Sequence, residues 1–147
     1  MKIEGDKKTP AGLFRIHNVF ASNPMSLRMD TRFVTKEDKF IDDVNSSEYN
    51  TWITGPTTAN SYEPMLIDIY RMGAVIDYNT SPIIPGKGSA IFLHIWRSEN
   101  QGTHGCIAME EKNLQLLLQW LDKNKNPSIL IISKTTLNSR RLELPNK

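Results

Sequence analysis

Apolar positions along the chain change their spacing several times, and each change marks an expected element. The opening stretch Gly5-Asp6-Lys7-Lys8-Thr9-Pro10-Ala11-Gly12 reads as a well-defined turn, because Pro10 presets φ and Gly12 permits a tight bend. It leads into a short strand over residues 13–16. From 17 to 38 the apolar residues Phe20, Met25, Leu27 and Phe33 are too sparse for a regular element, so loop is expected with one edge strand at 32–35. Residues 40–50 start as a strand and end in Asp, Asn and Ser side chains of the kind that bond their own backbone. Asp42 and Asp43 are adjacent on that strand and point to opposite faces, which predicts one turn-capping and one solvated carboxylate. Gly55-Pro56 marks a further turn.

Two apolar runs, 65–70 and 74–78, flank Arg71-Met72-Gly73 and predict a hairpin closed by glycine. The proline-punctuated loop 81–88 then delivers the chain into a strand over 90–96. Ala90, Phe92, His94 and Trp96 share one face of it and Ile91, Leu93 and Ile95 the other. Both faces are mostly apolar, so this strand is central. After Cys106 the period changes. Leu114, Leu117, Leu118 and Leu121 form the stripe of an amphipathic helix over 110–121, with Glu110 and Glu111 in its first turn and Lys123 and Lys125 beyond its end, favourable to the helix dipole. Pro127 stops it, and residues 129–132 read as a last buried strand. The tail from residue 134 carries a candidate edge strand and no strong pattern. About seven short strands between Gly/Pro turns with one late helix predict a mainly β, sandwich- or barrel-like single domain over 1–147, rather than a doubly wound α/β fold.

Composition narrows the classes of function. Hydrophobic residues at 39% and charged residues at 23% describe an ordinary globular chain able to build a full core. A net charge of +2 with scattered Lys and Arg leaves no nucleic-acid footprint. No signal-type apolar region stands at the start and no run approaches the ~18 apolar residues of a membrane span, so no membrane segment is expected. A single cysteine excludes an internal disulfide and leaves a free thiol, either inert or used.

The chemistry concentrates in residues 88–109, which hold Cys106 and two of the three histidines, His94 and His104. A thiol with an ordinary pKa is only a few per cent thiolate at neutral pH, so nucleophilic use needs a base. His94 lies on a rigid strand and the loop after it is long enough to return Cys106 to it. His104 is a second candidate whose direction depends on the turn. Gly105 removes a side chain where a substrate carbonyl would approach backbone N–H groups, at the mouth of a helix start, as a tetrahedral oxyanion requires. Acyl transfer through a thioester is the chemistry implied. An isolated Cys before a helix is more often a small buried hydrophobe. A metal site from His94, His104 and Cys106 lacks any HExxH or paired CxxC spacing, and no metal or other cofactor is expected. His17 has no partner near it in sequence and reads as structural.

Thr103-His104-Gly105-Cys106, with His94 upstream on an apolar strand, resembles the signature of the L,D-transpeptidases, or YkuD-type domains. The likeness continues through residues 4–12, Asp42-Asp43 with Ser47, Tyr49 and Asn50, Asp77-Tyr78-Asn79, and residues 86–94, covering the chain from residue 4 to about 132. The resemblance implies a β-sandwich-like domain of the bacterial periplasm or cell envelope acting on peptidoglycan stem peptides. Cys106 would attack the carbonyl of the third, diamino-acid residue and expel the terminal D-alanine. His94 would be the base, and the backbone at Gly105 and Cys106 the oxyanion hole, with His104 beside them. An amine of a second stem would take the acyl group in a 3→3 cross-link, and carbapenem β-lactams would acylate the same thiol. Thr103, Asn79 and Arg97 are the substrate-binding residues so implied. Arg97 is included because Ala108 stands two residues after the cysteine, where many members carry arginine. The His-to-Cys interval is also short, which implies a reduced cleft loop, and an N-terminal strand or signal segment would precede the entry segment in an envelope enzyme. Water in place of the second amine would make an L,D-carboxypeptidase. A wall-binding module without catalysis is the alternative of another class, and a redox sensor lacks a resolving cysteine.

Overall fold

The computed structural model describes residues 2–133. Among the described residues nine strands and one α-helix form in the order β1 (Gly12–Ala21), β2 (Thr31–Phe33), β3 (Asp38–Ile41), β4 (Trp52–Thr54), β5 (Tyr62–Pro64), β6 (Met72–Ile76), β7 (Phe92–Ile95), β8 (Ile107–Met109), α1 (Glu111–Trp120) and β9 (Ser128–Ile131). The larger sheet runs β2-β1-β6-β7-β8, with β9 added to the first half of β1; β4-β3-β5 form a separate antiparallel sheet.

Alternation along β7 explains why there are three layers. Leu93 and Ile95 face α1 and pack with Ile76, Leu114 and Leu118, while Phe92 faces the small sheet and joins Phe20, Phe40, Met65 and Tyr70. The aromatic layer is held edge to face, with Phe40 and Phe92 centroids 5.0 Å apart. The large sheet is therefore buried on both faces, and β7 is the central strand its sequence predicts.

Several expectations are corrected. β1 continues to Ala21, through a stretch expected to be loop, because a bulge between Ile16 and Asn18 shifts its phase. Ile16 and Val19 then reach the same core at a spacing of three, which hides the strand's period. The hairpin over 65–78 does not form. Residues 68–70 make a 3-10 turn, β6 pairs β1 and β7, and the strand before it, β5, belongs to the other sheet. The last strand, expected to be buried, is an edge whose Leu130 is 53% exposed. His17 is not isolated, since its Nδ1 lies 3.0 Å from Asp77 Oδ2 on the surface. The expected helix and the strand around His94 both form, each a little shorter than its sequence run. The candidate strand in the tail lies outside the described residues.

Candidate active site

Cys106 stands immediately before β8, and β8 pairs in parallel with β7 in the register Leu93↔Ile107 and His94↔Ala108. Side chains in register share a face and alternate along a strand. Phe92, His94, Cys106 and Ala108 therefore all project towards the small sheet. The half-buried thiol packs beside Phe92. Its Sγ accepts from the Phe92 N–H at 3.4 Å and donates to the Ala90 carbonyl at 3.2 Å. Ala90 holds a left-handed φ of 52°, fixed by its N–H donating to Asn50 Oδ1 at 3.1 Å, and this conformation turns its carbonyl to the thiol.

His94 is 4% exposed. Its Nδ1 lies 2.7 Å from the Ile95 carbonyl, which can only accept, so Nδ1 carries the proton and Nε2 keeps its lone pair. Burial lowers the pKa of the imidazole, the Ile95 carbonyl opposes that shift, and Arg97 adds to it. The Tyr70 ring meets His94 edge on, with centroids 5.2 Å apart, and its hydroxyl donates to Glu63 on β5. Burial pushes the Cys106 thiol up to about 12; the Phe92 N–H and Lys2 pull it down and the Glu63 carboxylate adds to the rise. The resting pair is a neutral thiol and a neutral imidazole.

Gly105 is required by its turn. Its φ is +128°, and a Cβ there would stand 3.0 Å from the Lys8 carbonyl oxygen. The Gly105 N–H donates to Thr103 Oγ1 at 3.2 Å, and the same hydroxyl donates to the Cys106 carbonyl at 2.6 Å. Thr103 thus clamps the turn that carries Cys106. The turn does not open directly onto a helix, contrary to expectation, because β8 intervenes before α1 starts at Glu111.

His94, Arg97, Thr103, His104, Cys106 and Ala108 line one cleft of about 450 Å³ between the two sheets. Arg97 and His104 are exposed at its rim. The structure does not bring Asn79 there. Its amide donates to the Ile84 and Gly88 carbonyls at 3.0 Å each and accepts from the Ile84 N–H at 2.9 Å, tying the loop that precedes β7. Residues that the sequence did not assign to the site complete the walls. Lys2 passes over Gly88 towards Gly105, with its Nζ held by Asp6 at 2.9 Å. Glu4, Asp42 and Glu63 line the side opposite. Tyr49 donates to Glu4, and Ser89 donates to the same carboxylate at 2.7 Å, fastening the entry segment to the cleft. A spacing rule does not find these groups, because they arrive from four separate segments. Among the described residues no three His, Cys, Asp or Glu side chains converge as a metal site.

A buried neutral imidazole and a thiol thus face the same cleft from adjacent chain segments, the pair of groups that acyl transfer through a thioester requires. The model of the L,D-transpeptidase catalytic domain, YkuD, matches residues 2–132, and the chain belongs to that family. The family works on peptidoglycan peptides of the cell wall. No curated protein and no solved structure matches the chain. No helix among the described residues is long and apolar enough to cross a membrane.

Proposed function

We propose that the protein is a cysteine acyltransferase of the bacterial periplasm or cell envelope that cross-links peptidoglycan stem peptides. One observation carries the reading: His94, with Nε2 free because Nδ1 is bound to the Ile95 carbonyl, shares the cleft-facing side of β7 and β8 with Cys106. Because the thiol rests on the Ala90 carbonyl, reaction starts when Sγ–H turns from Ala90 O to His94 Nε2. Nε2 takes the proton as Sγ attacks the carbonyl of the third stem residue, so no free thiolate has to form first. The Cys106 N–H, joined by the Gly105 N–H once it leaves Thr103 Oγ1, receives the oxyanion. His94 then gives its proton to the amine of the departing D-alanine, leaving a thioester on Cys106. The amine of a second stem attacks that thioester, His94 takes its proton and returns it to Sγ as the C–S bond breaks, and a 3→3 cross-link leaves the site.

Arg97, at the cleft rim, takes the role of substrate-carboxylate ligand in place of an arginine at Ala108, and His104 stands beside the nucleophile as a substrate contact. Thr103 acts through the turn it clamps. A more open groove of about 750 Å³, bordered by Asp68, Arg71, Glu110 and Glu111, meets the cleft at Ile69, Trp96 and Arg97. It offers a place for an acceptor stem, which favours cross-linking over the L,D-carboxypeptidase reaction. Carbapenems open on the same thiol in this reading. Incubation with a tetrapeptide muropeptide, read by mass spectrometry, is expected to yield cross-linked dimer. Tripeptide alone would assign the carboxypeptidase. Absence of both products, with no adduct on Cys106, would leave a binding module.

A further inference from the structure

The wall facing Cys106 carries two carboxylates, Asp42 and Glu63, that make no ion pair among the described residues, although Lys7, Arg97 and His104 line the same cleft. On the small sheet Phe40 pairs with Glu63, and Asp42 follows Phe40 by two residues, so Asp42 and Glu63 share the face that closes the cleft. The three acids there are not equivalent. The Glu4 carboxylate is engaged by Tyr49, Ser89 and the Gly5 N–H. Glu63 accepts from the Tyr70 hydroxyl through one oxygen. Asp42 Oδ1 is sealed from solvent and meets no hydrogen-bond donor among the described residues. A desolvated carboxylate oxygen without a donor is costly, and native sites supply one. Neither Asp42 nor Glu63 forms an ion pair among the described residues, and Lys2, the buried cation of the cleft, is held by Asp6.

We propose that Glu63 and Asp42 form an ammonium subsite of the cleft, which selects substrates carrying a free primary amine close to the carbonyl that Cys106 attacks. An ammonium has three donors on a compact charge and satisfies both the bare Asp42 oxygen and the second oxygen of Glu63. A metal ion has no converging ligand set here. The electrostatics agree with the geometry. Burial raises the pKa of Glu63, the Tyr70 bond and the His104 charge oppose it, and the Asp42 and Glu4 charges raise it further, while the Glu63 charge in turn opposes ionisation of Cys106. A bound ammonium neutralises this wall and eases proton loss from the thiol, so the right substrate also readies the nucleophile. For its natural ligand the subsite rests on the stem-peptide reading above; its first test does not.

That test compares two small thiosulfonates, aminoethyl (cationic) and methyl (neutral), on the whole protein. In each reaction Cys106 Sγ forms a disulfide with the reagent sulfur as methanesulfinate leaves, and each rate is normalised to that of free N-acetylcysteine. The wild type is expected to favour the cation by about tenfold, equivalent to about 1.4 kcal/mol. The preference should fall to about one in Glu63→Gln combined with Asp42→Asn. Gln keeps an oxygen for Tyr70, and the neutral reagent reports whether the thiol environment survives. A normalised ratio of about one in the wild type, or the same ratio in the double variant, overturns the subsite. A second arm uses muropeptides with the amine free or acetylated. Loss of discrimination by Glu63→Gln in acylation assigns the donor amine, and loss only in transfer assigns the acceptor amine. Equal use of free and acetylated peptides by the wild type in both steps overturns the substrate assignment. A cation preference towards thiosulfonates without any muropeptide turnover sustains the subsite and removes the cross-linking reading instead.

Discussion

His94 is fit to be a base because of its other nitrogen. With Nδ1 donating to the Ile95 carbonyl, the ring is held in one tautomer, and burial keeps it neutral. Replacing His94 by Gln should lower the rate of Cys106 acylation by roughly 10²–10⁴-fold, measured with a stem peptide under single turnover. Alkylation of the wild-type thiol by iodoacetamide should climb about tenfold per pH unit from 7 to 10, because only the thiolate reacts and the thiol is raised to about 12. A plateau beginning near pH 8.5 would show an unperturbed thiol. Gly105→Ala places a Cβ against the Lys8 carbonyl at a φ of +128° and should cost roughly 1–3 kcal/mol, read as a lower melting temperature, with acylation lost. That His94 and Cys106 meet in one cleft beside the Gly105 turn was legible in the sequence, because a lone thiol, a histidine on an apolar strand and a glycine between histidine and cysteine are rare together. Of the Asp42-Asp43 pair, expected to split into one turn-capping and one solvated carboxylate, the opposition and the cap hold, but the second carboxylate is half-buried with Oδ1 sealed from solvent. Asp43 caps its turn through the Asn45 and Asn60 N–H groups at 2.9 and 2.8 Å, and Asp42 turns to the cleft.

At the scale of elements, the strand under His94 depends on a glycine that sequence pattern had placed in a hairpin loop. Gly73 is inside β6 opposite His94, and a Cβ on it would lie 2.4 Å from both the Leu93 carbonyl oxygen and the Phe20 ring. Gly73→Ala should cost roughly 1–3 kcal/mol by overpacking, and acylation should fall further than the loss of folded protein explains. Calorimetry beside single-turnover kinetics separates the two. On β3, Asp38 is 3% exposed and accepts from Trp52, Thr54, Thr35 and Arg32. Burial pushes this carboxyl up, but the hydrogen bonds outweigh burial and hold it well below the usual range. Its stabilising contribution is present above the unfolded value of about 4 and is lost as pH falls through the folded value. Asp38→Asn should cost about 2–3 kcal/mol at pH 7, with a smaller difference from wild type at pH 2, measured by urea unfolding. The strong-period elements were legible. The long β1 was not, because its bulge changes phase, and the small sheet was not, because strands of three or four residues carry almost no period.

At the scale of the molecule, two sheets divide the work of the proposed reaction. The large one holds His94 on β7 and Cys106 at the start of β8, and the small one supplies the facing wall, with Tyr70 linking Glu63 to His94 between them. The mainly β class with a late helix follows from turn spacing and one change of period. The cleft does not, since it exists only where segments 2–8, 42, 63–70 and 89–108 meet. The most direct measurement is intact-protein mass spectrometry within seconds of mixing the protein with a tetrapeptide stem. The expected result is an adduct of the stem less its terminal D-alanine, present in wild type, absent in Cys106→Ser and slow to form in His94→Gln. Cross-linked or trimmed product accumulating in wild type with no adduct, or turnover retained by Cys106→Ser, would contradict a thioester on Cys106.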